Sequence, residues 1–213
     1  MEFVNLLSVV GDEPLFESAL LLAGNVQPGD VRRQLSRWVN SRRLIQLRRG
    51  LYALAPPFQR VKPHPFLIAN RLVRASYVSC QSALAYYGMI PEYTPVTISV
   101  TTGRTGFWET PLGTFKFHHI QPSLFDGYRL FEVSIGQKAF LASPEKALLD
   151  LIYLQPEGDQ RAYLMELRLQ NLDQLNLRML FKLADDSGIP KLKRAAQIIA
   201  EWAQQEAQEY QRL

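Results

Sequence analysis

The chain is poor in the residues that usually announce site chemistry. Among its 213 residues there is one cysteine, Cys80, and three histidines, which excludes an internal disulfide and a cysteine-rich zinc site. No apolar run approaches the roughly 20 residues that a membrane-spanning helix needs. The opening "MEFVNLLSVVGDEP" lacks the basic start of a secretory signal. A cytoplasmic protein without a membrane partner is expected. The most informative absence is of acid. Between Asp30 and Glu92 no Asp or Glu occurs, while arginines stand at 32, 33, 37, 42, 43, 48 and 49. Residues 1–62 hold nine Lys/Arg against five Asp/Glu, and residues 63–213 hold fifteen of each. Folding does not require charge to be concentrated in this way, so the excess points to a polyanionic partner.

What is present in that basic segment has an order. "FVNLLSVVG" and "LFESALLLAG" read as short helices ending at Gly11 and Gly24. "NVQPGD" reads as a turn, with Pro28 near the start of the next helix. From Val31 the helical period is clear, with Val31, Leu35, Trp38 and Val39 on one face and Arg33, Ser36, Arg37 and Asn40 opposite, flanked by Arg32. "LIQL" and "LYAL" follow as β-prone runs joined through Arg48-Arg49-Gly50, where Gly50 can adopt the positive φ of a hairpin turn. Helix, helix, turn, basic helix and hairpin form the layout of a winged helix-turn-helix. Four prolines in "PPFQRVKPHP" then mark a boundary. The expected fold is α+β: a winged helix-turn-helix over 1–57, a Pro-rich linker over 58–65, and a mixed α/β domain over 66–213 ending in helices.

Beyond the linker, "FLIANRLV" and "CQSALAYYG" read as helices, and "PVTISVTT", "GTFKFHHI", "YRLFEVSI" and "KAFLAS" as strands. In "SPEKALLDLIYLQ", Ser143 is placed to cap a helix with Pro144 at its first position. Two more helices are expected over about 172–186 and 190–209, the last with a stripe of Leu192, Ala195, Ile199, Trp202 and Glu206 packing on its own domain.

An α-helix fits the major groove, where Arg and Asn read guanine and adenine edges and Ser and further Arg hold phosphates. The expected DNA-binding residues are therefore Arg32, Arg33, Ser36, Arg37 and Asn40 on the helix, Arg43 just after it, and Arg48 and Arg49 gripping backbone from the hairpin tip. Leu35, Trp38 and Tyr52 hold helix and hairpin in place. A solvated basic face is the plain alternative for these arginines. Elsewhere, "TTGRTG" (101–106) lacks the ending of a phosphate loop and reads as a turn. His118 and His119 alternate faces of a strand and cannot easily share a metal. Glu145 and Asp150 lie about 140° apart on their helix, a poor arrangement for paired-carboxylate catalysis, and Glu145 more naturally offsets the helix dipole. Cys80 reads as a small buried hydrophobe. No catalytic residue, metal or cofactor is expected. An enzyme reading, a nucleic-acid-processing unit, would rest on Glu145, Asp150 and His119, and a third reading docks the basic helix onto an acidic protein.

"LSRWVNSRRLIQLRRGLYALAP", "SYVSCQSALAYYGMIPE", "TISVTT…GTFKFHHI" and "ASPEKALLDLIYL", in this order over about 5–155, resemble AbiEi-type antitoxins, the antitoxin halves of bacterial type IV toxin–antitoxin and abortive-infection pairs. The resemblance implies an N-terminal winged helix that binds inverted repeats in its own promoter and represses the operon, with a homodimer on DNA as one arrangement. It also implies a second domain that counters a nucleotidyltransferase-type toxin. Direct contact with the toxin stays open, because neutralisation in such pairs need not involve a tight complex. Stand-alone winged-helix regulators share the architecture.

Overall fold

The computed structural model describes residues 2–22, 27–92 and 94–210. Its first element is α1 (Phe3–Val10), whose Phe3, Leu6 and Val10 turn inward. A two-residue strand, β1 (Phe16–Glu17), leads into a 3-10 turn over Ser18–Leu22. The helix expected over 15–24 is thus replaced by an extended pair and a tight turn. The cause is tertiary: Phe16 and Glu17 pair with Tyr52 and Leu51, a partner more than thirty residues away that local pattern does not reveal. The stop expected at Gly24 lies outside the described residues. The basic helix α2 (Pro28–Asn40) starts with Pro28 at its first position and buries Val31, Leu35 and Trp38. Then β2 (Leu44–Arg48) and β3 (Leu51–Leu54) form the hairpin, giving a three-stranded antiparallel sheet in the order β1-β3-β2.

The second sheet has six strands. After α3 (Pro65–Leu72) come β4 (Ser76–Val78), α4 (Cys80–Tyr86), β5 (Val96–Thr101), β6 (Gly106–Thr110) and β7 (Gly113–His119). β8 (Tyr128–Ser134) and β9 (Gln137–Ala142) follow, and the strand order is β6-β7-β5-β4-β9-β8. The pairings β5/β7 and β4/β9 are parallel and the other three antiparallel. Among the described residues four α-helices follow: α5 (Pro144–Leu154), α6 (Arg161–Glu166), α7 (Leu177–Asp186) and α8 (Pro190–Tyr210). The whole is a mixed α/β structure. Ser143 caps α5 through a bond from the Lys146 amide, as its sequence suggests. Leu192, Ala195 and Ile199 of α8 are buried in the main core. Among the described residues no helix is long and apolar enough to cross a membrane.

Two hydrophobic clusters form, and the hairpin belongs to both. Tyr52 and Leu54 join Leu6, Leu35 and Trp38 in the smaller one. Leu47, Leu51 and Ala53 join Tyr77, Leu84 and Leu148 in the larger. Side chains alternate across a strand, so β3 presents one row to each cluster. The proline-rich stretch therefore spans a junction that is already packed: Gln137 clasps it, donating to Lys62 O at 3.0 Å and accepting from the His64 amide at 2.7 Å.

Leu51 is fully buried at this junction. Replacing it with alanine is expected to lower unfolding free energy by about 2–5 kcal/mol. Urea denaturation measures this, and a loss under about 1 kcal/mol would show that the hairpin contributes little to joining the clusters.

Candidate nucleic-acid interface

The exposed face of α2 follows from its buried one. With Val31, Leu35 and Trp38 fixed inward, the helical period turns Arg32, Arg33, Ser36, Arg37 and Asn40 to solvent. All five are exposed, so the structure brings the residues expected from sequence onto one face. Trp38 sets its rotation, meeting Phe3 edge-on at 5.3 Å. Arg33 is paired with Asp30 one turn earlier, an exposed pair worth little, so the guanidinium can exchange partners at small cost.

The helix ends in a tight reversal. Arg42 adopts a left-handed φ of 56°, and the Arg43 amide donates back to Trp38 O at 2.9 Å. This is the pattern of a Schellman stop, at a position where glycine is usual. The reversal sends Arg43 across α1, its guanidinium 5.0 Å from the centre of the Phe3 ring. Arg43 is exposed but stacked, which holds its charge close to the end of α2.

The hairpin tip divides its two arginines. Arg49 is exposed. Gly50 takes φ 85°, and its carbonyl accepts from the Ser18 amide at 2.9 Å. Arg48, expected to grip phosphate, is instead turned onto the protein. Its Nε and Nη2 donate to Arg71 O at 3.2 and 3.0 Å, its Nη1 donates to Arg49 O at 3.1 Å, and Glu17 lies 3.8 Å away. The reason is geometric: with an irregularity between Gln46 and Arg48, Arg48 stands opposite Leu51 and over the carbonyl end of α3. A cation there caps the helix dipole.

In comparisons with known proteins, no family model matches the chain and the search of curated proteins finds no match.

The residues of the enzyme reading are placed differently. His119 is exposed, with Nδ1 2.8 Å from Gly103 O, and His118 is half-buried on the other side of the strand. Glu145 is buried and accepts the Asn176 amide at 2.8 Å. Asp150 is 1% exposed and accepts three bonds: from Ser79 Oγ at 2.7 Å, Tyr77 O–H at 3.0 Å and Lys146 Nζ at 2.7 Å. Lys146 also donates to Leu124 O at 2.6 Å. The adjoining cavity, about 20 Å³, has room for a single water. Among the described residues, no group of three His, Cys, Asp or Glu could hold a metal ion. Sequence reading missed this cluster, although one signal was available: Lys146 and Asp150 stand four apart in a helix whose other residues, Glu145 and Tyr153 apart, are apolar.

Burial pushes the Asp150 carboxyl up from the ordinary carboxylate value, while Lys146, Ser79 and Tyr77 pull it part of the way back. Between about 3.9 and that raised value, native Asp150 keeps a proton that the unfolded chain has lost. Its contribution to stability is thus complete at low pH, declines as pH rises through this window and levels off above it. Asp150→Asn should remove this decline from a series of urea midpoints. Above that window it should also cost about 3–5 kcal/mol, because Lys146 is left buried without its counter-charge.

Proposed function

We propose that the chain is a DNA-binding transcriptional repressor whose N-terminal part is a winged helix, with α2 entering the major groove. The observation that carries this reading is the exposed row Arg32, Arg33, Ser36, Arg37 and Asn40 on a helix rigidly packed beside a hairpin with an arginine at its tip. The order α1-β1-turn-α2-β2-β3 supports the same reading, with β3 central in the small sheet. Arg and Asn on α2 supply base-edge donors and acceptors, Ser36 and further arginines supply phosphate contacts, and Arg49 meets the backbone from the wing.

The resemblance to AbiEi-type antitoxins extends this reading. The target is then an inverted repeat in the chain's own promoter, and the protein counters a nucleotidyltransferase-type toxin from the same operon. The part built around the six-stranded sheet is the candidate for that second task.

Gel shifts on the upstream promoter at about 0.15 M salt, where specific affinities reach about 10⁻⁸ M, test the DNA reading. Arg33→Ala combined with Arg37→Ala should abolish the shift and leave the circular-dichroism spectrum unchanged. Unaltered affinity would falsify the assignment. Arg49→Ala should weaken binding evenly across sequences and reduce the salt slope by about 0.9. Arg48→Ala should leave that slope unchanged and lower the melting temperature instead, since its guanidinium holds the protein.

A further inference from the structure

A second surface gathers cations around a groove whose wall carries no acid. Between the end of α3 and the outward face of the β8–β9 hairpin lies a groove of about 430 Å³, within the range of small-molecule sites. Arg71, Arg74 and Lys138 line it, and no Asp or Glu does. Arg71 and Arg74 fall in the acid-free run that also holds the arginines of α2 and the small hairpin. The remaining wall is largely apolar and includes Tyr128, Leu130 and Phe140.

These apolar groups are fixed and open. Leu130 and Phe140 are cross-strand partners, 53% and 43% exposed. Tyr128 stacks on the buried Tyr77 at 4.4 Å and meets Phe140 edge-on at 5.8 Å, which anchors this edge of the groove to the core. Two of the acids nearby are already engaged. Glu17 holds Arg74 at 2.9 Å. Glu132 stands opposite Lys138 in register but accepts the Gly136 amide at 3.0 Å. The carbonyl end of α3 would repel an anion, yet Arg48 covers Arg71 O with two donors.

A ring platform beside cations, with no competing carboxylate on the wall, suits a ligand that is planar at one end and anionic at the other. We propose that this groove binds a nucleoside phosphate, with the base packed on Phe140 and Leu130 and the phosphate held between Arg71 and Lys138. A free nucleotide and an unpaired nucleotide of a strand share this chemistry. The inference goes beyond the promoter reading and does not rest on it, because the groove has no residue in common with the exposed face of α2.

Isothermal titration of the full chain with ATP, GTP, CTP and UTP, and with single-stranded RNA and DNA pentanucleotides, tests the proposal. At least one of these ligands should bind, and Phe140→Ala and Lys138→Ala should each weaken it roughly tenfold or more, the loss expected for one stacking or charge contact. Adenosine and inorganic phosphate should each bind more weakly than that ligand. Tighter binding of pentanucleotides assigns the site to strands, and tighter binding of mononucleotides assigns it to free nucleotide. Either supports the groove. No binding by any ligand, binding indifferent to both substitutions, or phosphate binding as tightly as the nucleotides overturns it. Both substituted side chains are exposed, so folding should survive. The two variants should also retain the promoter gel shift, which keeps failure of this site separate from failure of the promoter reading.

Discussion

The carboxylate of Asp150 is the point on which the larger part of the molecule is assembled. It takes bonds from strand β4 through Tyr77, from the turn after it through Ser79, and from its own helix through Lys146. Lys146 passes the link on to Leu124 O, in the segment that leads to β8. One buried acid thus ties a central strand, the elbow into α4, helix α5 and the entry to the outer hairpin. The neighbourhood shows what this demands. Gly127 lies against the Lys146 stem, where a Cβ would stand 2.9 Å from Cγ, and it also takes φ 68°. No side chain fits there without displacing the lysine. Cys80, the first residue of α4, is held at φ 52°, a left-handed conformation that costs on the order of 1 kcal/mol or more for a residue with a Cβ. Its neighbour Ser79 is fastened to Asp150, and Cys80 itself is buried, so surrounding structure holds the elbow in place. Burial pushes the Cys80 thiol up, consistent with a packing role.

The small sheet imposes the second constraint. Because β3 is buried on both faces, the hairpin is fixed to the larger core as well as to α2. Arg48 and Arg74 reinforce that attachment through Arg71 O and Glu17. In the proposed repressor, α2 and the second part of the chain would then move as one piece, and the distance between two α2 helices in a dimer would be set by how the second parts meet.

Much of the fold was legible in the sequence, where its signals are local. The period of α2, the proline start, the glycine in the hairpin and the Ser143-Pro144 start of α5 all depend on neighbours within a few residues. What local pattern could not show depends on distant pairing. β1 is two residues long and exists only because β3 lies beside it. β4 is three residues long and buried on both faces, so "SYV" carries no alternation to read. β6, in "GFWET", sets two aromatics side by side with Phe107 exposed, so its sequence shows no alternation, and α6 is only six residues long. The site was legible in the same proportion. Five helix residues could be placed on one face from their spacing, whereas the inward turn of Arg48 depends on where α3 ends.

That last contrast separates charge density from reach. Arg48 and Arg49 are adjacent in sequence and identical in chemistry. One carbonyl of α3 and one glutamate, both supplied by distant parts of the chain, commit Arg48 to holding the two clusters together. Arg49 follows at the turn, where the chain reverses and, among the described residues, no such partner stands, and it keeps its charge for solvent or for a ligand. The arginine-rich hairpin therefore has two roles. Half of its charge is structural, and the half available to a polyanion is the residue beside Gly50, whose positive φ makes the turn.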